Sequence, residues 1–251
     1  MVRLRGRRAG PLTKMRCILP ERSDSRRELN MKNRKKDTRW MALLAMMVAV
    51  ELVLVATGIG LIPLPVIKAT TLHIPVILGA VLLGPLAGGI LGAVFGLSSM
   101  WINTTAPGLL AFAFSPFMST TGLPGALKAV WIAVGCRILI GVVSGWLWIA
   151  LKRVRVNDYI ALPVVGVAGA MTNTVLVMGS IYFLLAQQYA EVKNVALDAV
   201  FALVMATVTA SGIPEAIAAA VLVTAVGKAL LRLTGTVPQR GLAGESGASE
   251  S

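Results

Sequence analysis

Charge is scarce in this sequence. Only 14% of its 251 residues are Asp, Glu, Lys or Arg, and 56% are hydrophobic; soluble domains carry about 25% charged residues. A soluble domain of this length could not hide so much apolar surface. A bilayer can, because lipid replaces water around each helix. Catalytic side chains are scarcer still. There is one histidine, His73, and there are two cysteines, Cys17 in a basic tail and Cys136 inside an apolar segment. That supply argues against a disulfide framework, a metal site and a Cys and His pair. Paired carboxylates at useful spacing are also missing, as is a Walker-type glycine loop followed by Lys and Ser or Thr. The expectation is a chain that is not an enzyme, holds no metal or cofactor, and cannot hydrolyse ATP by itself. No secretory signal is evident either.

The charge that is present is unevenly spread. Fourteen of the 24 Lys and Arg precede Trp40, and between Trp40 and Leu151 only Lys68, Lys128 and Arg137 are basic. The net +13 is therefore mostly a property of the N-terminal tail. Such a tail can bind nucleic acid, but beside a series of apolar spans its simpler meaning is orientation, since Lys and Arg stay in the cytoplasm. Residues 1–39 carry many charges and no apolar periodicity, which predicts disorder. Met31 is an alternative start, because the basic run from Lys32 to Lys36 is already a sufficient positive flank. Residues 40–232 form the membrane domain, and residues 233–251 are a polar, glycine-rich tail.

Apolar segments run over about 41–58, 74–84, 85–102, 125–151, 159–187 and 195–231. The second is short for a hydrocarbon core of roughly 30 Å, and residues 70–73 are expected to extend it. Gly84-Pro85 reads as a tight turn between two spans, because one kinked span would put Lys152, Arg153 and Arg155 outside, against the positive-inside rule. The expected fold is therefore all-α: a six-transmembrane-helix bundle with both termini cytoplasmic. The last segment is too long for a simple crossing, and Gly212 and Pro214 are expected to break it. Gly88, Gly92 and Gly96, like Gly141 and Gly145, recur every four residues and allow close helix packing.

Polar residues inside spans are costly and so are candidate functional groups. Arg137 lies about halfway along the fourth span and needs a carboxylate, backbone carbonyls or an anionic ligand. Glu215, just after Pro214, can pair with it or face backbone groups freed by the expected break. His73 opens the second span behind Thr70 and Thr71. Asn103 closes the third span on the same side, Ser115 lies in an uncharged outer loop, Asn173 lies deep in the fifth span, and Tyr182 lies a few turns outward. Interhelical hydrogen bonds would account for these groups; an outward-facing cavity shared by several of them would account for them too.

These residues carry a family resemblance. The run from Thr71 to Ala80 with His73, Ile74 and Pro75, then Leu83-Gly84-Pro85 and the glycine-spaced span, resembles the substrate-binding S components of energy-coupling factor (ECF) transporters. Phe114 to Phe117, Arg137 to Gly141, Thr172-Asn173-Thr174 and Gly212 to Ala216 resemble later parts of the same proteins, in order, over roughly 40–231. Within the family the sequence is most similar to the pantothenate-type branch. The resemblance implies capture of a small water-soluble vitamin from outside by a multi-pass protein of the bacterial plasma membrane. It implies docking on a transmembrane T component with two ATPases, and no nucleic acid partner. Small-residue faces on the first helix make the docking contact in such proteins, and Ala45 and Ala49 are the nearest match here. His73, Asn103, Ser115, Arg137, Asn173, Tyr182 and Glu215 are the expected substrate-binding residues. Other vitamins, such as folate or riboflavin, remain alternatives, as does a self-contained secondary transporter or channel, although the two halves show no convincing repeat.

Overall fold

A computed structural model describes residues 19–58, 61–63, 68–108, 110–119 and 122–234. The chain divides into residues 1–42 and residues 43–251. In the first unit the described backbone is the beginning of helix α1, Leu19–Thr57, which continues into the second. A short antiparallel hairpin follows, β1 (Leu61–Pro63) against β2 (Lys68–Thr70), with Ile62 opposite Ala69. The remainder is helical: α2 (His73–Leu83), α3 (Pro85–Thr105), the single turn α4 (Ala111–Phe114), α5 (Leu123–Val130), a π-helical stretch over Trp131–Gly135, α6 (Cys136–Arg153), α7 (Asp158–Lys193) and α8 (Val200–Thr234). Among the described residues, five helical stretches are long and apolar enough to cross a membrane: Thr38–Thr57, Pro85–Thr105, Leu123–Arg153, Asp158–Lys193 and Leu197–Leu233. Large apolar side chains stand exposed along them, including Trp101, Phe183 and Val221, as lipid-facing residues do and as a water-soluble surface would not.

The sixth apolar segment, α2, differs from the others. Its 11 residues reach only about 16 Å at 1.5 Å per residue. Thr70 and Thr71 do not extend it, because Thr70 belongs to β2 and the helix begins at His73. Every residue of α2 is buried. It is thus a core helix packed against α3, α6, α7 and α8, a common outcome for an apolar run of 10–14 residues. The turn expected at Gly84-Pro85 is present. Gly84 has φ 96° and ψ 175°, and Pro85 opens α3, where its missing N–H costs no helical hydrogen bond. A side chain at Gly84 would be strained at that φ.

Helices α3 and α6 approach backbone to backbone. A methyl group added at Gly88 would sit 2.6 Å from the Gly141 carbonyl oxygen, and one at Gly96 would sit 2.6 Å from that of Ala133. The glycine spacing is therefore spent on internal packing, which also aligns Gly92 with Arg137.

Helix α1 starts at Leu19 and carries the expected first span as Thr38–Thr57; residues 19–39 are rich in Arg, Lys and Glu, which propagate a helix once an apolar segment anchors it. Residues 1–18 and 235–251, expected to be disordered, lie outside the described residues. The expected break at Gly212 and Pro214 does not occur, as α8 runs continuously through Pro214; packing against neighbouring helices can carry the lost hydrogen bond in a membrane bundle. The irregular residue is instead Leu185 of α7 (φ −134°, ψ 23°). Next to it, the Leu184 carbonyl accepts a hydrogen bond from Lys128 Nζ at 3.1 Å.

Candidate functional site

The π-helical stretch is where the site begins. It carries the Cys136 N–H back to the Trp131 carbonyl, one residue further than in an α-helix, and such turns often occur at functional sites. Arg137 follows at once. Its Nη1 donates to the Ile132 carbonyl at 2.8 Å, five residues back. The guanidinium carbon lies 5.0 Å from the Phe95 ring centroid and 4.8 Å from that of Phe114, within cation–π range. Arg137 is buried, and its Nε has no hydrogen-bond partner among the described residues. Of the acceptors anticipated for Arg137, the structure supplies a backbone carbonyl, and it adds two ring faces that were not anticipated. Beside Phe114, Ser115 is fully buried and its hydroxyl lies 2.8 Å from that of Thr104 at the end of α3.

A second group of polar residues lies where α2, α6 and α7 meet. A methyl at Gly169 would touch Ile77 Cδ1 at 2.6 Å and Ser144 Oγ at 2.7 Å, so the three helices converge there. Residues four apart share a helix face. One turn further along these faces stand His73 on α2 and Asn173 on α7, and two turns along α6 stands Arg137. His73 and Asn173 are buried. Asn173 Oδ1 and Ser144 Oγ lack partners among the described residues, although buried polar atoms are almost always paired. Next to Asn173, the Thr174 hydroxyl donates to Ala170 O at 3.3 Å and to Glu215 Oε2 at 3.4 Å. Glu215, itself buried, is thereby tied to α7. The N-terminus of α2 adds the positive end of a helix dipole at His73.

Two expected residues make contacts of another kind. Asn103 is half-buried and its amide donates to Ser99 O of its own helix at 2.8 Å. Tyr182 packs edge-on against Phe183 and Phe201, at 5.3 and 5.8 Å between centroids, beside an apolar cluster that includes Ile132, Cys136, Ile181 and Tyr189. Conversely, Glu51 was visible as the one charge in the first span but was not among the expected site residues. It is fully buried, and neither carboxylate oxygen has a partner among the described residues.

A bundle of lipid-exposed helices around a short buried helix defines a multi-pass membrane protein. The sequence model of the ECF transporter substrate-specific component family matches residues 39–227. The chain belongs to that family. It is also 32% identical over 203 residues to the pantothenic acid transporter PanT of Lactococcus lactis subsp. cremoris (strain MG1363), covering 80% of this chain and 96% of that protein.

Proposed function

We propose that this chain is the S component of an ECF-type uptake system, that it captures pantothenate, and that it delivers its cargo inward when docked on a T component with two ATPases. The observation that carries the reading is the likeness to PanT along nearly that protein's whole length. The site chemistry supports it. Pantothenate carries one carboxylate, two hydroxyls and an amide. Arg137 and the N-terminus of α2 suit the carboxylate, while Asn173 and Ser144 suit groups that donate or accept hydrogen bonds. His73, Ser115 and Glu215 frame the same interior, and Asn103 and Tyr182 form its outer fringe.

On this reading the chain has six membrane helices, α2 being the short one, with both termini in the cytoplasm of a bacterial cell. The charge distribution agrees, since Lys152, Arg153, Arg155, Lys228 and Arg232 gather at one end of the α6, α7 and α8 helices. Ala45 and Ala49 are exposed on α1, so a T component can reach this small-residue face.

Equilibrium binding of labelled pantothenate to the purified chain tests the reading. Saturable 1:1 binding is expected, with no uptake by cells that lack the T component and ATPases. Absence of binding would remove the ligand assignment, and robust uptake by this chain alone would favour a self-contained transporter. Within that assay, Asn173→Ala is expected to weaken binding by about tenfold, the worth of one buried hydrogen bond to a ligand. Unchanged affinity would take Asn173 out of the site.

A further inference from the structure

The basic end of the α7–α8 pair holds a cavity of about 210 Å³ lined by Asn157, Asp158, Tyr159, Lys228, Leu231 and Arg232. Helix α7 starts there. Asn157 is extended, with φ −64° and ψ 141°, and makes no side-chain cap. Its carbonyl already accepts from the Ile160 and Ala161 amides. The amides of Asp158 and Tyr159 belong to the first turn, whose N–H groups have no intrahelical carbonyl to meet. Helix α8 passes antiparallel beside this turn, with a methyl at Gly227 reaching Leu162 at 3.0 Å. Lys228 Nζ lies 3.1 Å from the Tyr159 ring centroid, and Arg232 follows one turn later on the same face.

The acid in this cavity is already committed, because Asp158 forms an ion pair with Lys152. Neither Lys228 nor Arg232 has an ion-pair partner among the described residues. Two cations and the first turn of α7 therefore line one small cavity, a donor set suited to a phosphate group. The surroundings choose among phosphates. The cavity lies at the ends of two helices apolar enough to cross a membrane, where a bilayer that they span would place its headgroups. Leu231 lines it, and Ile160 and Leu233 stand exposed beside it. A soluble anion has no use for that apolar rim, whereas the acyl chains of a lipid do.

We infer that this cavity is a binding site for the phosphodiester headgroup of an anionic phospholipid. Lys228 and Arg232 take the phosphate, the first-turn amides of α7 complete its hydrogen bonds, and the acyl chains lie along the exposed apolar side chains of α7 and α8. The inference does not depend on which solute the protein carries.

Native mass spectrometry of the full chain tests it with phosphatidylglycerol and phosphatidylcholine of matched acyl chains. Wild-type protein should retain phosphatidylglycerol with a preference of about tenfold or more, given the attraction of each nearby cation for an anionic lipid. Lys228→Gln with Arg232→Gln, which keeps side-chain length, should bring the two lipids close to parity, while Arg153→Gln with Arg155→Gln should keep the preference. The same preference in the Lys228/Arg232 variant would overturn the site. Equal loss in both variants would reduce it to general surface charge. Full displacement of phosphatidylglycerol by millimolar inorganic phosphate would make it a soluble-anion site and refute the lipid assignment. If the double variant loses thermal stability, the single Arg232→Gln variant, at the exposed position, carries the same test with a smaller expected loss.

Discussion

Arg137→Ala is expected to raise the Kd for pantothenate by at least about 100-fold, the usual cost of removing one partner from a buried charge pair. The expectation rests on how little of the guanidinium the protein itself consumes. One nitrogen bonds the Ile132 carbonyl, and Phe95 and Phe114 hold the two sides. These contacts orient a planar cation without neutralising it, and Nε has no partner among the described residues. A cation held in a bundle interior without a neutralising partner is expensive, so a carboxylate that reaches it gains attraction that water does not screen. Arg137→Lys should fall between wild type and alanine, because a point charge keeps the attraction but loses the planar fit between the rings. Calorimetric titration with pantothenate and with its alcohol analogue, in which a hydroxymethyl group replaces the carboxylate, separates this role from a structural one. Wild-type protein should prefer the acid strongly, and Arg137→Ala should bind both alike. Parallel weakening of both ligands together with a lowered Tm would instead make Arg137 a tie that holds the π-turn against α6.

Much of this arrangement was legible in the sequence, and the parts that were not share a cause. Apolar runs and the positive-inside rule gave the helical segments and the Gly84-Pro85 turn because both depend on local composition: glycine supplies the positive φ and proline starts the next helix. Arg137, Asn173 and Glu215 stood out because polar groups are costly inside spans. Facing is another matter. It depends on the rotation of each helix about its axis, which hydropathy does not record when the outside is lipid and as apolar as the core. Hence Asn103 turned out to bond its own helix, Tyr182 to join an aromatic cluster, and Glu51 to be fully buried. The π-turn at Trp131–Gly135 leaves no pattern among apolar residues, yet it sets the register by which Arg137 reaches Ile132. Pro214 misled for a related reason: a proline signals a missing hydrogen bond, but neighbouring helices decide whether the helix breaks.

The second large effect is expected from Gly141→Val. The added side chain would meet the backbone of Gly88, with Gly88 Cα at 2.8 Å from the new Cβ alone. Nothing flexible stands in the way that could yield, so α3 and α6 must move apart along the seam that Gly92 and Gly96 continue. Overpacking of this kind costs about 1–3 kcal/mol or more, which for a domain of this size corresponds to a fall in Tm of roughly 2–12 °C. Gly179→Val is the internal control, as nothing lies within 4 Å of its added Cβ, and its Tm should stay near that of wild type. The consequence should reach the ligand as well. Gly141 lies one turn from Arg137 on the same face of α6, and Phe95, which stacks on Arg137, lies on α3. Separating the two helices pulls the guanidinium away from one of the rings that orient it. Pantothenate binding by Gly141→Val at a temperature well below its Tm should therefore weaken, and more for the acid than for the alcohol analogue. Wild-type affinity for both ligands in a protein with a clearly lowered Tm would show that the glycine seam serves stability alone and that Arg137 is positioned by α6 and the π-turn without help from α3.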